Sequence, residues 1–141
     1  MRNLQQALRL CAFSVLTCLA LGSASAAKLE QAALAGANEV PPVNTAASGT
    51  VSVAIASDGA VSGGVATRGI AGTAAHVHVG GVGMNGPVVI ALTKTGDSTW
   101  TVPAGSRLNT DQMKAYRAGD LYVNVHSAVH KDGEIRAQLK P

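Results

Sequence analysis

The stretch TVSVAIASDGAVSGGVAT, residues 50–67, decides the class of fold. Its apolar residues alternate with small or polar ones, and this period of two is typical of β-strands with one buried face. The β-branched residues that mark these faces are Val51, Val53 and Ile55 in the first half and Val61 and Val65 in the second. Between the halves, Asp58 and Gly59 can supply the positive φ angles of a two-residue turn. The stretch therefore predicts a β-hairpin.

The same period of two continues outside the hairpin and predicts further strands. They lie at residues 74–79, 87–93, 98–102, 121–126 and 134–139, with glycine-rich or Asp-Gly turns between most of them. Inside the hairpin, Gly63 and Gly64 predict either a β-bulge or the close approach of another backbone.

One segment, LNTDQMKAYRAGD, breaks the strand pattern and has the signals of a short helix. Asn109 or Thr110 can cap its start, and Asp111 suits the positive end of the helix dipole. Gly119 can end the helix in the left-handed conformation. We predict a two-turn helix over residues 111–118. Many short strands with one small helix predict an all-β fold, a Greek-key β-sandwich or barrel with one short helix.

The first 26 residues have the pattern of a secretory signal peptide. Arg2 and Arg9 precede an apolar run at residues 10–21, and small residues up to Ala26 suit cleavage there. The run is shorter than the ~20 residues of a membrane-spanning helix, and no later stretch is apolar enough to replace it. We expect an exported protein, periplasmic or secreted, with one domain at residues 27–141. Cleavage would remove both cysteines, which leaves the mature chain without a disulfide.

The charge of the chain does not favour a nucleic-acid partner. Without Arg2 and Arg9, nine basic residues face eight acidic ones. The basic residues are scattered, and the aromatic residues of the mature chain, Trp100, Tyr116 and Tyr122, are too few for a base-stacking platform. No nucleic-acid binding is expected.

All four histidines fall into two short clusters. AAHVHVG holds His76 and His78, and YVNVHSAVH holds His126 and His130. Residues i and i+2 of a strand project from the same face, so His76 and His78 share a face, with Cα atoms about 6.5 Å apart. In the second cluster the same alternation directs three side chains outward, away from the core: Tyr122, Asn124 and His126.

These clusters predict a metal site if the two strands are neighbours. His76, His78 and His126 could then converge on one ion at bond lengths of about 2.0 Å, and His130 could close the site from the loop. Histidines on a solvent face, with no ligand, are the alternative, because H-x-H also occurs by chance. Imidazole ligation suits copper, zinc or nickel. Met84, in the loop GGVGMNGP, is either a soft axial ligand or a side chain that plugs the loop against the barrel.

Three other charged residues lie in positions where a functional role is conceivable. Glu39, in NEVPP, is either a metal ligand or base, or part of a strand end that Pro41 and Pro42 make rigid. Glu134 and Arg136 share a strand face and could pair with opposite charges on adjacent strands. The structural role is favoured for all three. Because the mature chain has no cysteine nucleophile, no Gly-x-Ser-x-Gly and no phosphate-binding loop, no catalytic residue and no enzymatic activity is predicted.

With these residues in view, the chain resembles the CHRD domain family, named after repeats in chordin and found in exported bacterial proteins. The blocks NEVPPV, AAHVH, GDLYVNVHS and GEIRAQL, in this order, carry the resemblance, which covers nearly all of the mature chain. It implies a compact β-domain, and the histidines that recur in the family correspond to His76, His78 and His126. His130 has no counterpart of this kind and rests on the sequence alone. Ser127 stands where the family often has threonine, and Ala137 where glycine is common.

Three functions are open at this point. The leading one is an exported metal-binding module that loads copper or zinc through the histidines. The alternative is a non-catalytic adhesion or protein-interaction module of the cell envelope or matrix. A superoxide dismutase-like enzyme is the least favoured, since the likeness is limited to HVH and the four histidines offer no clear second metal set.

Overall fold

A computed structural model describes residues 26–141. The predicted signal peptide lies almost entirely outside these residues and stays a prediction. The described chain forms nine strands, one short 3-10 helix and one α-helix. Their bounds are β1 (Ala27–Ala35), the 3-10 helix (Gly36–Asn38), β2 (Ser48–Ala56), β3 (Val61–Arg68), β4 (Gly72–Val79), β5 (Val88–Ala91), β6 (Thr93–Gly96), β7 (Thr99–Thr101), α1 (Thr110–Ala118), β8 (Leu121–Ser127) and β9 (Ile135–Leu139).

The strands form one antiparallel sheet in the order β5-β4-β8-β9-β1-β2-β3-β7-β6. Its two outermost strands, β5 and β6, are consecutive in the chain and are separated by Leu92 alone. One bent segment thus pairs with β4 through its first half and with β7 through its second. The Leu92 amide also donates to the carbonyl of Ala75 on β4, at 2.9 Å. The sheet therefore curls into a nearly closed barrel, and the prediction of an all-β fold with one short helix is confirmed.

The predicted hairpin is formed by β2 and β3. Its register runs without a shift from Ser48↔Arg68 to Ile55↔Val61. Of the two alternatives for the glycines, the structure has the close approach and not the bulge: a Cβ atom on Gly63 would collide with the carbonyl oxygen of Ser52 on β2.

The helix α1 begins one residue before its predicted start. Asn109 is the N-cap: its side chain accepts from the Gln112 amide at 2.9 Å, and the Gln112 side chain accepts from the Asn109 amide at 2.8 Å. Gly119 ends the helix with φ 80°, as predicted. Tyr116 is buried, and its hydroxyl donates to Glu30 on β1 at 2.6 Å, which fixes the helix to the barrel.

The core lies on the inner face of the barrel. Its most buried large apolar side chains come from β1, β2, β8 and β9 and are Leu34, Val51, Val53, Leu121, Val123, Val125, Ile135 and Leu139. Strands β1 and β6 were not among the predicted strands, since the alternation of β1 is weak in AKLEQAALA and all of β6 is exposed. Over residues 26–141, the structure has no helix with the length and apolarity needed to cross a membrane.

Candidate metal centre

Three of the four histidines meet on one face of two neighbouring strands. β4 pairs antiparallel with β8, so that Ala74 lies opposite His126, His76 opposite Asn124, and His78 opposite Tyr122. Each of the three histidines offers one ring nitrogen, and these nitrogens all lie within 4.8 Å of one another. The predicted convergence of His76, His78 and His126 is therefore present in the fold.

The spacing between His76 and His126 suits a shared ion. Nδ1 of His76 is 3.0 Å from Nε2 of His126. Two nitrogens bound to one ion at about 2.0–2.1 Å lie roughly 2.8–3.4 Å apart when the angle between the bonds is near 90–110°. An ion could therefore bind both rings with little movement of either one.

Backbone carbonyls orient two of the rings. Nδ1 of His78 donates to the carbonyl of Gly86 at 2.9 Å, and Nδ1 of His126 donates to that of Lys131 at 2.8 Å. With the proton on Nδ1, the neutral ring carries its free electron pair on Nε2. Histidines that bind a metal commonly make a hydrogen bond of this kind through the other nitrogen, which sets the tautomer and the ring orientation.

His78 is the most deeply buried of the three, with 7% of its surface exposed. Its ring stacks on Tyr122, with centroids 4.7 Å apart and planes 4° apart. The guanidinium of Arg136 lies over the same tyrosine ring, 3.4 Å from its centroid, so His78 and Arg136 cover its two faces. Nε2 of His78 is buried and has no hydrogen-bond partner among the described residues.

Burial also favours the uncharged form of His76 and of His78. It lowers the pKa of His76, and the neighbouring His126 and His78 lower it further. It lowers the pKa of His78 as well, although the hydrogen bond to Gly86 acts in the opposite direction. Both rings are therefore neutral near pH 7, which is the form that binds metals.

The family model of the CHRD domain matches residues 31–139, most of the chain and all of the site. The chain belongs to the CHRD domain family. The comparisons found no curated protein and no solved structure that matches it.

In this CHRD domain, His130 lies outside the group of three histidines. Its amide donates to the Ser127 hydroxyl at 3.1 Å, and its carbonyl accepts from Ser127 and Gly133, each at 3.2 Å. These bonds close the tight loop after β8. The imidazole is close enough to Glu134 to lower the pKa of that carboxyl. The structure therefore brings together three of the four predicted ligands.

The side chain of Met84 does not plug its loop, so that interpretation is wrong. It is 62% exposed. The loop at residues 80–86 is held by Arg136 instead, which donates to the carbonyls of Met84 at 2.6 Å and Gly81 at 3.2 Å, and to Oδ1 of Asn85 at 3.0 Å. A role for Met84 as a soft ligand stays a prediction.

The face of β8 that points away from the core is covered rather than exposed to solvent. Tyr122 and Asn124 are each 2% exposed. Asn124 was not predicted as a site residue, yet it lies opposite His76 in the register and is more deeply buried than any of the three histidines. Its Oδ1 is buried, and no described residue donates to it. The only sequence signal for this residue is its position two before His126, on the same strand face.

Glu39 is buried beside this face. It follows the 3-10 helix rather than ending a strand, and it is 4% exposed. A Cβ atom on Gly133 would lie 2.5 Å from Oε1 of Glu39 and 2.6 Å from Nδ2 of Asn124, so both side chains pack against this glycine. Burial raises the pKa of Glu39 to about 7, although nearby Arg136 lowers it. A role for Glu39 as ligand or base stays a prediction.

The predicted ion pairs of Glu134 and Arg136 are not formed, because neither belongs to any of the three ion pairs between described residues. Glu134 instead accepts from the Thr45 hydroxyl at 2.7 Å. Burial raises its pKa, but the Ser127 and Thr45 hydroxyls outweigh that effect, so the pKa is lowered. Arg136 is 1% exposed, and its guanidinium donates hydrogen bonds to the loop at residues 80–86, which covers His78.

Proposed function

We propose that this CHRD domain is an exported, non-catalytic module that binds one copper or zinc ion through His76, His78 and His126. The observation that carries the proposal is the meeting of three imidazole nitrogens within 4.8 Å on two neighbouring strands. Export is supported only by the pattern of residues 1–26.

The state of the rings supports the same proposal. A buried nitrogen without a partner costs about 1–3 kcal/mol, and Nε2 of His78 is such an atom. Nε2 of His78 would donate its free electron pair to a bound cation. Since His78 and His126 already donate through Nδ1 to carbonyls, little rotational freedom would be lost on binding.

Calorimetric titration of the metal-free mature chain with Cu(II) and Zn(II) tests the proposal. We expect one ion per chain with a dissociation constant below about 1 μM, which corresponds to ~8 kcal/mol. His76→Gln with His78→Gln should abolish this binding. The matched control is His130→Gln, which should bind like the wild type because His130 lies outside the group.

Two results would contradict the proposal. Absence of stoichiometric binding would leave the adhesion or protein-interaction alternative. An equal loss in His130→Gln and in the double variant would show that the group of three is not the site. Mass spectrometry of the processed protein tests export separately: we expect a mature chain that begins at Ala27.

A further inference from the structure

We infer that Asn124 supplies a fourth, inner ligand through Oδ1, so that the site has three nitrogens and one oxygen and selects divalent ions over Cu(I). This inference rests on the proposed function. Asn124 would be the fourth ligand, the position for which the sequence alone offers His130.

The first support is the position of Asn124 within the group of histidines. It lies directly opposite His76 in the antiparallel register, and its strand neighbours two residues away are Tyr122, opposite His78, and His126. Side chains at these positions share one face of the sheet, so Asn124 stands between all three rings. It is 2% exposed, whereas His76 and His126 are partly exposed. Asn124 therefore forms the floor of the site.

The second support is the orientation of its amide. Nδ2 donates to the carbonyl of Asp132 at 3.5 Å and packs beside Glu39. This leaves Oδ1 as a buried acceptor to which no residue in the described part of the chain donates. Nε2 of His78 is in the same condition.

Asn124 and His78 lie diagonally across the β4–β8 pair, since His78 is opposite Tyr122 and Asn124 is opposite His76. Neither Nε2 of His78 nor Oδ1 of Asn124 has a hydrogen-bond partner among the described residues. With the His78 proton donated to Gly86, both atoms carry free electron pairs. Two adjacent buried acceptors are satisfied together by a cation that both can bind.

The donor set decides which cations suit the site. Thiolate and thioether ligands select Cu(I), imidazole suits copper and zinc, and carbonyl oxygen suits harder ions. An amide oxygen in place of sulfur therefore shifts the preference toward Cu(II) and Zn(II). Arg136 and Glu39 are the ionisable residues against the covered side of the site, and Glu39 offsets the charge of Arg136 only when it is ionised, above about pH 7.

The experiment compares the wild-type mature chain with Asn124→Leu and Asn124→Asp. Cu(II) affinity is measured by calorimetry, the Cu(II) coordination by electron paramagnetic resonance, and Cu(I) affinity by anaerobic competition with a chromophoric chelator. We expect Asn124→Leu to bind Cu(II) at least ~10-fold more weakly, with altered parallel g and hyperfine values and little change for Cu(I). Asn124→Asp keeps the shape and the oxygen, so it should bind Cu(II) at least as tightly, with a resonance spectrum changed by the charged ligand.

The outcomes separate the two proposals. A wild type that binds neither Cu(II) nor Zn(II) overturns the proposed function. A wild type that binds Cu(II), with both variants matching it in affinity within twofold and in spectrum, overturns only the role of Asn124. If Asn124→Leu does not fold by circular dichroism, the spectrum of Asn124→Asp decides: an unchanged spectrum overturns the inference and a changed one supports it.

Discussion

Side chains alternate between two faces both in the β2–β3 hairpin and in the group of β4, β8 and β9. The two regions differ in whether the outer face is exposed or buried. In the hairpin, Val51 and Val53 are fully buried while Ser52 between them is half-buried, and Ser62 on β3, opposite Ala54, is exposed. In β8, residues 121–125 are all buried, on both faces of the strand. One face packs in the core, and the other is covered by loops.

The covered face is polar, and its order depends on specific hydrogen bonds. The loop at residues 80–86 lies over it, tied to Arg136 by three hydrogen bonds and to Tyr122 by one from the Gly86 amide at 3.2 Å. Three of the four buried side-chain atoms without partners in residues 26–141 belong to this side of the barrel: they are in Glu39, His78 and Asn124. Burial of polar groups without partners is costly, and a bound ligand could satisfy these groups. The covered face therefore has the character of a binding site, whereas the outer face of the hairpin does not.

The largest effect should come from removing the cation of the covered face. Arg136→Met leaves three part-buried acceptors, the carbonyls of Gly81 and Met84 and Oδ1 of Asn85, without their donor, so we expect the free energy of unfolding to fall by about 3–5 kcal/mol. Urea denaturation at pH 7.5 measures it. Arg68→Met, at the exposed end of β3, is the control and should stay within about 0.5 kcal/mol of the wild type. Equal losses of unfolding free energy in Arg136→Met and Arg68→Met would contradict the conclusion that the covered face depends on specific hydrogen bonds and the hairpin does not.

A second effect concerns pH and Glu39. Its pKa is about 7 in the folded chain against an ordinary 4.5, so the folded state holds the extra proton between these values. The stabilisation is fully present below pH 4.5 and is lost as pH rises through about 7. Relative to Glu39→Gln, the wild type should lose about 3 kcal/mol between pH 4.5 and 8. Urea denaturation at several pH values, with a chelator present, measures this difference.

The control for Glu39 is Glu134, whose pKa is lowered. Relative to Glu134→Gln, the wild type should lose stability as pH falls, which is the opposite sign. The same sign for both variants would contradict the assignment of Glu39 as the carboxyl that burial protonates.

A smaller effect is expected at the edge of the covered face. His76→Gln removes the 3.0 Å hydrogen bond to His126 and should cost about 1 kcal/mol at pH 7.5 without metal. Because the pKa of His76 is lowered in the folded chain, the unfolded chain binds more protons and stability should rise with pH around 6.5. The cost of His76→Gln should therefore shrink toward pH 5. Thermal unfolding at pH 5–8 with a chelator tests this, and a cost that is independent of pH would argue against close packing of the rings.

The smallest effect belongs to the outer face of the hairpin. Ser62 is exposed on β3, so Ser62→Ala should change the free energy of unfolding by no more than about 0.5 kcal/mol. A loss of more than 1 kcal/mol in urea denaturation would mean that the outer face of the hairpin is covered in solution, like the outer face of β8.

Local patterns were enough to predict the elements that depend on neighbours in the chain. The turn at Asp58 and Gly59, the cap at Asn109 and the end at Gly119 each follow from the conformation that one or two residues favour. The shared face of His76 and His78 follows from the period of two. None of these predictions needed the position of any distant strand.

The direction of each side chain along its own strand thus follows from the sequence, and so does the family that its motifs indicate. The tertiary structure alone decided that β4 lies beside β8 in the register that places Ala74 opposite His126, and that the histidine face is covered. It also directed His130 away and placed Asn124 among the rings. The physical reason is that strand alternation specifies a face but not the neighbour across it. That choice depends on hydrogen bonds and packing between residues about 50 positions apart, such as Arg136 with the loop at residues 80–86.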